Sequence, residues 1–316
     1  MACTSPGSTS PIACPSRERY SARVTLSRGV LYMIASALGF SAMSVLVKIA
    51  SARLPTGEIV LARAAVTLVV SYAMVRGAGL SPWGTNRPGL VLRGVLGFGG
   101  LTFYYLSLAY LPLADATTIQ NTTPLITAVL GWWLLRERIG WATATALACG
   151  VAGVSLIVHP NGTGLDPVGV AIGVGAATCS SIAYVTVRQL TKTEHALVIV
   201  FYFPLIATPL AVPWAIATWV TPDATEWLLL LGIGLATQVG QVFLTRALVL
   251  ETASRATSVG YIQVAFAMVW QWLLFDLPPT AWTLAGAGLI VGGTVAVARA
   301  SARARAAAGS ATTART

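Results

Sequence analysis

Ten stretches of predominantly apolar residues, each roughly 17 to 25 long, follow one another with almost nothing between them, and that succession leaves the chain few ways to fold. They start near Gly29, Thr56, Leu90, Asp115, Gly140, Pro167, Ala196, Glu226, Ala256 and Thr280. Each is long enough to cross a bilayer as a helix. Connectors such as Leu111-Pro112-Leu113 and Asp276-Leu277-Pro278-Pro279 are too short to hold a domain. With 56% apolar and 9% charged residues, against about a quarter charged in an ordinary soluble domain, the chain lacks the polar surface that water demands. A bundle facing lipid keeps its Leu, Val and Ala outside. The expected fold is therefore an all-α membrane protein with ten transmembrane helices.

Sliding the sequence against itself by 140 positions brings Ser41 onto Ser181, Lys48 onto Arg188, Gly94 onto Gly234, Gly100 onto Gly240, Thr117 onto Thr257, Trp132 onto Trp272 and Gly153 onto Gly293. The chain thus reads as two five-helix repeats, residues 28–158 and 167–298, between a disordered tail (1–27) and a basic tail (299–316). Five is odd, so the second copy enters the membrane the other way up: an inverted repeat. Charge agrees, because matching loops of inverted copies face opposite sides and should differ in Lys and Arg. Arg136 and Arg138 correspond to Asp276 and Pro278, and Asp115 corresponds to Arg255. With both termini cytoplasmic, the inner set includes Arg76, Arg87, Arg93, Arg136, Arg138, Arg188 and Arg255, while Lys48 and Arg53 lie outside.

The net charge of +10 does not indicate nucleic acid, because Lys and Arg sit between apolar runs and not on one face or stripe. Cys3 and Cys14 lie in the polar tail, and Cys149 and Cys179 fall in apolar segments, so no disulfide or zinc spacing arises. No metal or cofactor is expected. Arg-heavy, Ala- and Gly-rich usage suits a GC-rich bacterial genome, hence a bacterial inner membrane. The partners expected are a small organic solute and the lipid bilayer, with the chain a monomer or a homodimer.

Polar side chains in membrane spans must be satisfied internally, so their clusters mark either contacts between helices or a wet cavity. In the fourth span Thr117, Gln120, Asn121 and Pro124 share one helical face. In the ninth, Thr257, Tyr261 and Trp270 cluster with Gln263 and Gln271, and Tyr261 is the repeat partner of Asn121. The two faces would meet on the pseudo-twofold axis. Ser41 with Ser44, and Ser181 with Tyr184, add hydroxyls or bond their own backbone; Tyr104, Gln238 and Gln241 stand at similar depth. Arg63 lies well inside the second span, where a guanidinium costs several kcal/mol unless paired or hydrated. It reads either as a clamp for a substrate carboxylate or phosphate, or as a structural contact to helix-end carbonyls or Glu58. Gly169 with Gly173, and Gly288 with Gly292, have small-xxx-small spacing and are expected to pack against neighbouring helices.

The run Leu111-Pro112-Leu113-Ala114-Asp115-Ala116-Thr117, then Asn121-Thr122-Thr123-Pro124-Leu125 and Leu134-Leu135-Arg136-Glu137-Arg138-Ile139, resembles the signature of the EamA family in the drug/metabolite transporter superfamily. Tyr261-Ile262-Gln263, Trp272-Leu273-Leu274-Phe275 and Trp282-Thr283-Leu284-Ala285-Gly286 resemble its closing motif. The sequence departs from the pattern at Arg136, where Gly is usual before Glu137, and at Asp276-Leu277, where Gly-Glu is common. The resemblance implies a carrier or exchanger for amino acids, nucleotide-like metabolites, vitamins or toxic organics. It also implies a cavity lined by the first four spans of each half, with the fifth and tenth outside.

The function expected is secondary transport of a small organic metabolite by alternating access. Two rivals belong to other classes. A membrane-embedded enzyme needs a nucleophile with a base, a metal cluster or paired carboxylates, and the sequence has only His159 and His195, both near span ends. A non-transporting scaffold or sensor has no use for two antiparallel copies around one site.

Overall fold

A computed structural model of the chain describes residues 27–107, 110–111, 119–158, 166–275 and 281–313. All regular structure among them is helical: α1 (Arg28–Ala50), α2 (Thr56–Gly77), α3 (Arg87–Ser107), α4 (Thr123–Leu135), α5 (Trp141–Val158), α6 (Pro167–Leu190), α7 (Ala196–Ala217), α8 (Ala224–Leu250), α9 (Ala253–Gly260), α10 (Ile262–Phe275) and α11 (Ala281–Thr313). Starts are set by caps legible in the sequence. The Asp166 carboxylate accepts from the Val168 amide at 2.7 Å, and Asp223 and Glu226 form a reciprocal capping box on α8. Six helices, α1–α3 and α6–α8, are long and apolar enough to cross a membrane; Thr123–Leu135, Trp141–Leu156 and Leu284–Val297 are shorter apolar stretches. Large side chains such as Val69, Trp132, Ile216 and Leu228 are exposed on the outside, a surface suited to hydrocarbon and not to water.

Element bounds recur at the 140-residue offset: Thr56 and Ala196 open α2 and α7, Gly77 and Ala217 close them, and Trp141 and Ala281 open α5 and α11. Contacts obey the same exchange. α1 packs on α8 and α3 on α6, while α2 packs on α7 and α5 on α11. Exchanging the halves turns the first contact into the second and leaves the other two unchanged.

Close backbone approach makes these seams. A Cβ on Gly39 of α1 would stand 2.9 Å from the Gly240 nitrogen and 3.1 Å from the Ala236 oxygen of α8. The Ser36 hydroxyl donates to the Gly240 carbonyl at 2.8 Å across the same seam. In the matching seam, Gly100 of α3 faces Ser180 and the Ala176 oxygen of α6. Gly94 faces Ile206, and Gly234 faces Val66; both members of each pair are offset by 140. Such small-residue contacts supply the van der Waals packing that joins helices where lipid removes the hydrophobic drive.

Two expectations need correcting. Gly169 does pack against Tyr110 and Leu111, and Gly173 against Ile119, but no atom of the described residues lies within 4 Å of a Cβ on Gly288 or Gly292, and both are exposed. The α5 seam takes the other side of α11, where Gly293 meets Ala146 and Cys149, so the Gly288–Gly292 spacing faces outward. Arg93 is not a loop charge: it lies within α3 and is 3% exposed.

At one end of the bundle the α2–α3 connection is tied to the α6–α7 connection by Glu194. Its carboxylate accepts from the Thr85 amide at 2.7 Å and from the Thr85 hydroxyl and Asn86 amide at 2.5 Å. Partial burial pushes its pKa up, but the hydrogen bonds from Asn86 and Thr85 outweigh this and leave it below the ordinary carboxyl value. The tie is therefore complete above that ordinary value and is lost as pH falls through the lowered one.

Two outcomes follow from this packing. Gly39→Val lowers the thermal midpoint of the purified protein, with an overpacking cost of about 1–3 kcal/mol, whereas Gly292→Ala, with open space around it, does not. Glu194→Ala speeds hydrogen exchange at the Thr85 and Asn86 amides at neutral pH, and the wild type shows the same acceleration only in acid.

Candidate functional site

The helical path is interrupted at repeat-related positions. In the first half a helical pair at 119–120 gives way to a turn at Asn121 and Thr122 before α4, whose first turn carries Pro124. In the second half α9 stops at Gly260, Tyr261 forms the turn, and α10 resumes at Ile262. The two interruptions touch. The Tyr261 hydroxyl donates to the Asn121 carbonyl at 2.9 Å, joining residues 140 apart. Proline cannot supply a backbone donor, and the Gln120 carbonyl four residues before Pro124 accepts from the Thr123 hydroxyl at 2.6 Å instead. The Leu125 amide bonds the Thr122 carbonyl, which leaves that of Asn121 to Tyr261, 3% exposed, across the halves.

Polar side chains surround this junction. The Gln120 amide donates to the Ser180 hydroxyl at 3.3 Å, the Ser181 hydroxyl to the Thr123 carbonyl at 3.0 Å, and the Trp270 indole to the Ser41 hydroxyl at 3.1 Å. Ser41 also donates to its own helix at the Leu38 carbonyl. The structure thus pairs Asn121 with Tyr261, Ser41 with Trp270, and Gln120 with Ser180. Thr257 spends its hydroxyl on the Ala253 carbonyl at 2.9 Å. Gln263 is half-buried in α10 and bonds none of these groups. Tyr104 of α3 stacks on Tyr105, ring centroids 5.7 Å apart. Thr117 lies outside the described residues.

Arg63 follows neither structural contact expected of it. It is 8% exposed, its Nη1 reaches only the Met43 sulfur at 3.8 Å, and its guanidinium carbon lies 5.9 Å from the Phe203 ring centroid. Glu58 instead accepts from the Val220 amide at 3.2 Å. Sequence reading missed Arg93, which donates to Gln241 at 3.1 Å and lies 4.7 Å from the same ring centroid. Its place six residues into an apolar helix was the available signal. Gly150 was also missed: it clears the space in which the Tyr261 ring sits, since a Cβ there would come within 2.2 Å of that ring. A surface concavity of about 470 Å³ at the end of α2 is lined by Tyr72, Arg76, Leu80 and Trp83 and by none of these groups.

One ion pair gathers four helix ends. Glu137, just beyond α4, meets the Arg188 Nε of α6 at 3.2 Å and accepts from the Ala253 amide at the start of α9 at 3.0 Å. Arg188 Nη1 donates to the Leu248 and Val249 carbonyls at the end of α8. An acid at a helix start and a base at a helix end both suit the backbone dipoles. At the other end of the bundle Arg53 pairs with Glu226 and bonds the Thr221 carbonyl. Among the described residues no three His, Cys, Asp or Glu side chains cluster to hold a metal.

The model of the EamA-like transporter family matches twice, over residues 27–159 and 167–299. The pseudopaline exporter CntI of Pseudomonas aeruginosa is 38% identical over 275 residues, 87% of this chain and 97% of its own length. Solute carrier family 35 member G1 of Mus musculus is 30% identical, with 83% of this chain and 76% of the relative covered. The S-adenosylmethionine uptake transporter of Rickettsia prowazekii is 25% identical, with 86% and 92% covered. A solved crystal structure superposes with a TM-score of 0.77 at 21% identity, covering 88% of this chain and 99% of that one, a likeness of fold alone.

Tyr261→Phe removes the bond to Asn121 and lowers stability by about 1 kcal/mol, the net worth of one hydrogen bond. Gly150→Val displaces the whole ring and lowers it further. Thermal unfolding of the two purified variants orders them against the wild type.

Proposed function

The chain belongs to the EamA-like transporter family, and from that membership we propose that it exports a small organic metabolite across a bacterial inner membrane by alternating access. It is a small-metabolite transporter of the membrane and not an enzyme. In the proposed topology the turn before α4 and the turn between α9 and α10 lie inside single broken spans, and α5 and α11 also cross. That makes ten spans in two five-helix units, 28–158 and 167–298, the second inverted. The exchange symmetry of the contacts supports this reading. Two inverted copies around one site give inward-open and outward-open states of similar energy.

The observation that carries the proposal is the pair of repeat-related helix breaks joined by the Tyr261–Asn121 hydrogen bond. Thr122 and Tyr261 keep right-handed helical dihedrals, so each break is a loosened turn of the hydrogen-bond ladder. At membrane depth such a turn is tolerated where it is buried in protein or lines a cavity, and discontinuous helices recur at transporter sites. The solute is taken between these breaks by Gln120, Asn121 and Tyr261, with Ser41 and Trp270 beside them. Thr257, Gln263 and Tyr104 border the same path. With both termini cytoplasmic, the Glu137–Arg188 pair closes the inner end and the Arg53–Glu226 pair the outer end. The repeats meet inside one chain, so a monomer holds a complete path and a homodimer adds none. The outward direction follows the name of the relative at 38% identity.

Wild type and an Asn121→Ala, Tyr261→Ala double variant, expressed at matched membrane levels, are compared by profiling metabolites inside and outside cells. One solute class accumulates outside with the wild type and returns to baseline with the variant. A variant that still moves the solute at the wild-type rate removes these residues from the path, and a solute that accumulates inside reverses the direction.

A further inference from the structure

Two guanidinium groups are buried among the helices, and no carboxylate of the described residues pairs with either. Arg63 of α2 and Arg93 of α3 are 8% and 3% exposed. Neither forms an ion pair among the described residues, and the Nε of each is buried without a hydrogen-bond partner. One aromatic ring relates them. Phe203 of α7 has the Arg63 guanidinium carbon 5.9 Å from its centroid and the Arg93 carbon 4.7 Å away, so the two charges are separated by no more than the sum of those distances. Phe203 is itself the 140-residue counterpart of Arg63, which sets the group where the two halves meet.

The neighbours orient these cations without neutralising them. Arg93 donates to the Gln241 oxygen at 3.1 Å with the Tyr184 phenol near it, and Arg63 reaches the Met43 sulfur with the Tyr105 phenol near it. A ring face worth about 0.5–2 kcal/mol holds a guanidinium plane in place, but it does not cancel a unit charge. An unpaired cation in this setting costs several kcal/mol. Two of them close together add mutual repulsion, so a purely structural role would be served better by apolar side chains of similar volume. Their chemistry is that of a receptor: each fork presents paired donors matched to the two oxygens of a carboxylate. A solute cation would add a third positive charge, and a neutral solute would leave both unpaired.

We infer that Arg63 and Arg93, both beside the Phe203 ring, form the anion-recognition part of the transport path and select a small organic solute bearing two carboxylates, one for each guanidinium. This rests on the transport reading above and adds the substrate class to it. Gln241 fixes the Arg93 fork, and Phe203 offers apolar contact to the carbon skeleton between the two acids.

The test is binding to purified full-length protein in lipid nanodiscs, read as the shift of thermal midpoint with succinate, glutarate, citrate, acetate, phosphoserine and tetramethylammonium as probes. The di- and tricarboxylates raise the midpoint saturably. Acetate needs about tenfold or more higher concentration, as expected when one charged hydrogen-bonding group is lost, and tetramethylammonium has no effect. Arg63→Gln and Arg93→Gln each weaken the apparent affinity about tenfold or more without lowering the ligand-free midpoint, and Arg93→Lys is intermediate. The inference is overturned by stabilisation that is equal in wild type and both Gln variants. It is overturned equally by stabilisation from no carboxylate, or from phosphoserine alone. It also falls if the Gln and Lys variants all lose ligand-free stability, which is the mark of a structural role. The two levels of reading separate cleanly. Dicarboxylate binding together with a flat metabolite profile keeps the site and removes carriage, while a neutral solute that moves through the Arg63→Gln and Arg93→Gln variants keeps carriage and removes the site.

Discussion

Hydrocarbon offers no hydrogen bonds, so every backbone amide and carbonyl within it must be satisfied by the protein. That constraint turns the chain into helices and makes any interruption of a helix costly unless a side chain elsewhere completes it. At Asn121 and Tyr261 the completion is mutual between the halves: the Tyr261 hydroxyl serves the Asn121 carbonyl. Gly150 leaves the space for the ring that delivers this bond, and Ser181 serves the Thr123 carbonyl just beyond it. The polar junction thus depends on one strong requirement of the solvent and on a few residues placed to meet it.

The same solvent explains the seams. Lipid gives helices no hydrophobic reason to associate, and contact must come from close approach and interhelical hydrogen bonds. Gly39 against Gly240, Gly100 against Ser180, and the Ser36 bond to the Gly240 carbonyl are of this kind. Their repetition at an offset of 140 ties packing to the internal repeat, because two copies of one sequence pattern make the same contacts twice with roles exchanged. Function and stability are joined here: the seams that hold the halves together also bring the two helix breaks face to face.

Electrostatics divide the molecule into ends and middle. At the ends, acids and bases pair with each other and with helix termini, as Glu137 does with Arg188 and the start of α9. In the middle, the neighbours of Arg63 and Arg93 among the described residues are neutral: the Phe203 ring, a sulfur, an amide and the phenols of Tyr105 and Tyr184. Among the described residues the ion pairs thus lie at the ends, and the two buried cations between them form none.

The sequence alone determined the membrane class, the start of nearly every helix to within about three residues, the offset of the repeat and the pairing of Asn121 with Tyr261. These follow from runs, caps and periodicity, which are local properties carried by neighbouring residues. Tertiary structure decided the rest. It turned Gly288 and Gly292 outward, put Arg93 inside, chose Phe203 over Glu58 as the neighbour of Arg63, and satisfied Thr257 within its own helix. Hydropathy says that a helix is buried in the bilayer but not which side of it faces lipid or a neighbour. That choice is set by how helices distant in sequence fit together, and a linear pattern does not contain it.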